Sequence, residues 1–194
     1  MTDTNTDKNV YILGAGFSKG IGLPLQDEFL LKAKEVYFRN RAKYEHFERV
    51  FRYQDKLSKM RQFLNYPLLN LEHLFNLIEM DIFYSKDDEV KTTKKAFIDL
   101  ICDVLKELTP SPFYHDKQGK MLFSSDYEHY RSFLGLFLKD KQSMVTYEDT
   151  IITFNYDLVL EGALALFQAE LHDTLVKFNT IFGIQTIIQS NIDP

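Results

Sequence analysis

The chain has 194 residues, 45 % of them hydrophobic, and a formal net charge of −5. That length predicts one domain with a substantial core, and the interspersed charges lack the basic stripe that counterion release requires, which argues against nucleic acid as a partner. The single cysteine, Cys102, excludes an intrachain disulfide framework and a cysteine-built zinc site; a polar, acidic start and the lack of any 18-residue apolar run predict a cytoplasmic protein with no membrane association.

Residues 1–8 read as a disordered leader. Residues 9–13 follow as a short apolar strand of the kind a parallel sheet covers on both faces. A glycine-rich turn comes next, and from Leu25 onward Leu25, Phe29, Ala33, Val36 and Tyr37 recur at helical spacing. Gly22 and Pro24 set the approach to that helix, and the unit spans residues 9–39.

Residues 40–140 are helical by pattern and lie between two pieces of sheet. Tyr44, Phe47, Val50 and Phe51 mark one segment. Leu71, Leu74, Phe75, Ile78 and Ile82 mark a second, with Asn70 as its N-cap. The third stripe, Phe97, Leu100, Ile101, Val104, Leu105 and Leu108, stops where Pro110 and Pro112 remove backbone donors. A fourth starts at Ser125, with Glu128 three residues on as a capping box, and runs through Tyr127, Tyr130, Leu134, Phe137 and Leu138. The 11 tyrosines and 17 phenylalanines fall mostly on such stripes, so they read as core and not as a base-stacking platform.

Residues 150–154, Thr-Ile-Ile-Thr-Phe, are the second strand, ending in Asn155-Tyr156-Asp157. A helix with the stripe Leu160, Leu164, Phe167 and Leu171 starts there, capped by Asp157 or Asn155. This second strand–helix unit covers residues 149–171. In the tail, 172–194, residues 181–188 are a candidate third strand.

Chemistry concentrates at the two strand ends. Gly14 and Gly16 lack Cβ, so the backbone there can turn sharply and bring its N–H groups close to a pyrophosphate. Open α/β sheets bind ligands outside the carboxyl ends of their strands, so the two polar strand ends converge on one crevice if the strands are neighbours. The glycine spacing departs from G-x-G-x-x-G, and no acidic residue ends a second strand about 20 positions on, which disfavours a dehydrogenase. No Gly-Lys-Ser/Thr follows at the spacing that a kinase P-loop needs. Without a ligand, the same turn reads as a tight strand-to-helix connection.

Gly14-Ala15-Gly16-Phe17-Ser18, Gly22-Leu23-Pro24 and Thr153-Phe154-Asn155-Tyr156-Asp157 together resemble the sirtuin-like family, in its bacterial antiviral-defence branch. Asn70-Leu71-Glu72 with Phe75 also matches that branch. The resemblance covers residues from about 9 to 170. It implies an α/β fold, a Rossmann-like parallel sheet with a large helical insertion, with the sheet incomplete in this chain. It also implies NAD as substrate or ligand, hydrolysed to nicotinamide and ADP-ribose, with no metal. The cofactor-binding set it implies is Gly14, Ala15, Gly16, Phe17, Ser18, Gly22 and Pro24 from the first motif, and Asn155, Tyr156 and Asp157 from the second.

Within that set, Ala15, Gly16 and Ser18 line the diphosphate by backbone N–H groups and the serine hydroxyl. The resemblance implies that Asn155 is the catalytic residue, bonding the nicotinamide ribose or orienting a water, and that Asp157 meets the carboxamide or fixes the loop. Deacetylation is disfavoured, because the family's deacetylases carry a four-cysteine zinc module and an Asp-Phe-Arg where this chain has Leu25-Gln26-Asp27. Partners expected from the resemblance are NAD or ADP-ribose, with a homo-oligomer or a partner defence protein.

The pattern departs from the family at one point. Family members place a catalytic histidine in Leu-His-Gly on a later strand, and no His-Gly occurs in this sequence. His46, His73, His115, His129 and His172 all lie in other contexts. The chain therefore reads as the first part of such a domain. The alternatives are a non-catalytic module that binds NAD or ADP-ribose, or engages a protein through its helical insertion, and an inactive remnant.

Overall fold

A computed structural model describes residues 9–64, 70–85, 87–137 and 150–170. The leader, the candidate strand at 181–188, Leu138 and His172 lie outside these residues.

The described residues form a mixed α/β architecture in which helices dominate and one parallel pair of strands carries the two motifs. Strand β1 (Val10–Leu13) leads into a short helix α1 (Ala15–Lys19). Helices α2 (Phe29–Arg39), α3 (Phe47–Leu64), α4 (Leu71–Ser85) and α5 (Asp88–Leu108) follow. A hairpin of β2 (Phe113–His115) and β3 (Met121–Phe123) precedes a 3₁₀ turn at Ser125–Tyr127 and α6 (Glu128–Phe137). Strand β4 (Thr150–Thr153) and α7 (Val159–Glu170) complete the order.

β1 and β4 pair in parallel, with Val10 opposite Thr150 and Leu13 opposite Thr153. Thr150 N–H to Asn9 O at 2.9 Å and Phe154 N–H to Leu13 O at 3.2 Å extend the ladder at both ends. Side chains alternate along a strand, so Tyr11, Leu13, Ile151 and Thr153 are half-buried while Val10, Ile12, Thr150 and Ile152 are exposed. Ile151 packs against the α6–α7 layer, and the Tyr11 ring meets Phe133 edge-on at 6.4 Å.

Two apolar clusters hold the fold. In the larger one, Phe29, Ala33 and Val36 of α2, Phe47 and Val50 of α3, Leu74 and Ile78 of α4, and Phe97, Leu100 and Val104 of α5 meet. The smaller joins Leu23, Tyr127, Tyr130 and Leu134 to Val159, Ala163 and Leu166 of α7. Leu105 and Leu108, at the end of α5, pack against both, so the two clusters meet at the C-terminal end of α5.

Most of the expected elements occur where the stripes place them. Asn70 caps α4 through its side-chain oxygen, which accepts the His73 N–H at 2.8 Å, and α5 ends at Leu108 before the prolines. Three local features differ. The helix expected from Leu25 begins at Phe29, because residues 25–28 close a turn in which Glu28 N–H bonds to Leu25 O at 3.1 Å. The Glu28 carboxylate accepts the Leu25 N–H at 3.1 Å and pairs with Lys19, which holds that turn. The cap near Ser125 is Ser124, whose hydroxyl accepts the Asp126 N–H at 3.3 Å. The β2–β3 hairpin lies within a region whose pattern is helical; three-residue strands are too short to show a period, and its signal is Asp116 turning back through Gly119 at φ +79°.

Candidate functional site

The parallel register puts the carboxyl ends of β1 and β4 side by side, so Gly14 and Asn155 leave the sheet at the same end. Four side-chain hydrogen bonds then join the two motifs or anchor them. Ser18 Oγ donates to Asp157 Oδ1 at 2.9 Å. Asn155 Nδ2 donates to Ser18 Oγ at 3.0 Å and to the Gly14 carbonyl at 3.1 Å. Asp157 Oδ1 also accepts the Val159 N–H at 3.1 Å, satisfying one of the free donors at the start of α7.

Each partner is positioned by its local structure. Ser18 sits on α1 and is 1 % exposed, so its hydroxyl needs both a donor and an acceptor nearby, and the second motif supplies them. Asn155 is held from its backbone as well, its N–H donating to Thr153 Oγ1 at 3.1 Å. Thr153 is thus part of the site through its hydroxyl; its position two residues before the asparagine is the one sequence signal for this.

Helix α1 is only five residues long and is clamped from α6. The Phe17 ring lies edge-on to Tyr130 at 4.9 Å and to Phe133 at 5.5 Å, and Tyr130 OH donates to the Phe17 carbonyl at 2.9 Å. Burial raises the Tyr130 phenol pKa. Tyr127 is buried below it and donates to the Pro110 carbonyl at 2.9 Å. Its phenol is pushed up to about 12, first by burial and then by the Asp157 charge, so it stays a neutral donor across ordinary pH. The sequence places Tyr127 and Tyr130 on a packing stripe that does not include Phe133; the contact of α6 with the glycine motif depends on its tertiary placement.

The remaining motif residues divide by exposure. Gly14, Ala15 and Gly16 are exposed just beyond the carboxyl end of β1. A Cβ added at Gly14 or Gly16 would meet nothing within 4 Å. The chain's own packing therefore does not require glycine at either position. Gly22 has φ +96° and turns the chain after α1, with Gly22 N–H bonding to Lys19 O at 3.0 Å and Leu23 N–H to Ser18 O at 3.3 Å. Pro24 is buried, and Gly22 and Pro24 also line a shallow hollow with Lys19, Glu28, Leu31 and Lys32. Tyr156 is 86 % exposed, with its side chain outside the hydrogen-bonded cluster.

The histidines have other settings. His46, just before α3, has its Nε2 3.1 Å from Asp103 Oδ2 on α5. His73 opens α4, His115 ends β2 and His129 is on α6. Among the described residues, no group of three or more His, Cys, Asp or Glu side chains could hold a metal ion, and no helix is long and apolar enough to cross a membrane.

No family model, curated protein or solved structure matches the chain.

Proposed function

We propose that the chain is a sirtuin-like NAD-binding domain that hydrolyses NAD to nicotinamide and ADP-ribose in bacterial antiviral defence. One observation carries this reading: the glycine turn and the Asn-Tyr-Asp segment, far apart in sequence, meet at the ends of paired parallel strands and are hydrogen-bonded through Ser18, Asn155 and Asp157. Ligands of open α/β sheets bind at such strand ends. The exposed glycines add to it, since a residue without a side chain facing open space suits the close approach of a diphosphate.

The chemistry proposed is cleavage of the nicotinamide N-glycosidic bond. Its transition state is oxocarbenium-like and the leaving group departs neutral, so the protein's task is to hold the ribose and to direct a water. In this reading Asn155 does so, and the two hydrogen bonds of its amide to Ser18 Oγ and the Gly14 carbonyl support it. The Ala15 and Gly16 N–H groups, in the first turn of α1 and without intrahelical partners, face the diphosphate in this reading.

A second reading, a module that binds NAD or ADP-ribose without turnover, is favoured by the lack of any His-Gly in the sequence. Incubating the purified chain with NAD and quantifying nicotinamide separates the two. Hydrolysis predicts release that Asn155→Ala abolishes. Release equal to that of a protein-free control, together with NAD binding by calorimetry, selects the non-catalytic module, and the absence of both rejects the NAD reading.

A further inference from the structure

The hydrogen bonds around Ser18 have a direction, and that direction fixes which face Asn155 shows to a ligand. The Asp157 carboxylate can only accept, so the Ser18 hydroxyl proton points at it. The Ser18 oxygen is then left as an acceptor toward Asn155. Independently, the Gly14 carbonyl, which can only accept, faces the same end of the Asn155 amide at 3.1 Å. Both neighbours require a donor there, so that end is the NH₂ group, and its two protons go to Ser18 Oγ and Gly14 O. The carbonyl oxygen Oδ1 is on the opposite branch of the planar amide and has no protein hydrogen-bond partner among the described residues.

We infer that Ser18 is a positioning residue: with Asp157 it orients Asn155 so that the amide presents its carbonyl oxygen to the crevice, where it takes a hydrogen-bond donor such as a ribose hydroxyl or a water. A phosphate oxygen is excluded as the group Asn155 binds, because two acceptors would face each other. Ser18 contributes its hydroxyl to this network and not to the diphosphate. The ribose assignment rests on the NAD reading above; the orientation of Asn155 does not.

The test follows the Asn155 side-chain amide directly. In the full chain labelled with ¹⁵N, both Asn155 amide protons exchange slowly with solvent. Ser18→Ala removes one acceptor and raises the exchange of one proton at least tenfold, and Ser18→Thr, which restores the hydroxyl, returns it to the wild-type rate. Asn155→Asp places a carboxylate oxygen against the Gly14 carbonyl and lowers the thermal unfolding midpoint more than Asn155→Ala does. Unchanged exchange in Ser18→Ala, or an Asn155→Asp variant as stable as wild type, overturns the orientation.

ADP-ribose titration then tests the ligand. A tenfold weaker affinity in Ser18→Ala, recovered in Ser18→Thr, supports a hydroxyl read by Asn155, and wild-type affinity in Ser18→Ala overturns it. A wild-type chain that binds neither NAD nor ADP-ribose refutes the NAD reading and the ribose assignment, while the exchange rates still decide the role of Ser18.

Discussion

Ser18 donates its hydroxyl proton to Asp157 across 139 positions of sequence, and the same aspartate oxygen accepts the first N–H of α7. One carboxylate thus ties the glycine motif to the helix that follows the second motif. Removing it in Asp157→Ala leaves a buried hydroxyl without its acceptor and a helix start without its cap. The expected loss of stability is about 1–3 kcal/mol, read from urea denaturation. Asp157→Asn, which keeps one accepting oxygen, should lose less; equal losses would show that the carboxylate acts by charge alone.

Gly14 and Gly16 are expected to separate binding from folding. Neither has φ in the left-handed region and neither is crowded, and alanine inside a helix is favoured over glycine by up to about 1 kcal/mol. Gly16→Ala should therefore fold at least as stably as wild type. If a diphosphate lies against this turn, the same methyl weakens NAD or ADP-ribose binding at least tenfold. Calorimetric titration beside thermal unfolding checks both arms, and unchanged affinity would remove the diphosphate from the glycine turn.

Much of this geometry was legible in the sequence. The strands β1 and β4, the buried stripes of α2 to α5 and the Asn70 cap follow from local periodicity and capping chemistry, which need no tertiary information, whereas α7 buries Val159, Ala163 and Leu166 and leaves the expected Leu160 and Leu164 half-buried. The polar residues at the two strand ends were legible as residue types. Their mutual bonds were not, because the partner of a buried hydroxyl depends on which strands pair and in which register. Ser18 shows this best: its position in the motif suggested a hydroxyl aimed at phosphate, and burial turns that hydroxyl toward Asp157. The clamp from Phe17 to Tyr130 and Phe133 is likewise a product of how α6 packs; of the three, only Tyr130 lies on an expected stripe.

Gly162 on α7 faces the Tyr127 ring, and a Cβ there would lie 2.9 Å from both Cε1 and the hydroxyl oxygen. Tyr127 is fully buried and bonded to Pro110, so the ring has no free direction to move. Gly162→Ala should destabilise the chain by about 1–3 kcal/mol through overpacking, against the gain alanine would bring to an uncrowded helix. In a Tyr127→Leu background the added methyl no longer meets the ring, and the penalty should shrink. Denaturation of the four chains forms a double-mutant cycle; additive effects would show that the two residues do not press on each other.

Tyr44 and Glu107 make acid sensitivity measurable in the helical layer. The buried Tyr44 donates its hydroxyl to Glu107 Oε2 at 2.6 Å, and Lys43 Nζ lies 3.1 Å from the same oxygen. The Tyr44 hydrogen bond, with Lys43 second, holds the Glu107 carboxyl below its ordinary value. A carboxylate depressed by folding contributes stability that is present above the unfolded value, about 4.3, and is lost as pH falls through the lower folded one. Tyr44→Phe keeps the ring, which packs at 5.1 Å from Phe47, and removes only the donor. The stability gap between wild type and Tyr44→Phe should therefore be full at pH 7 and narrow as pH drops below the carboxylate range. Urea midpoints for both chains at pH 7, 5 and 3 give the comparison, and a gap that does not change with pH would mean that the hydrogen bond does not depend on the charge of Glu107.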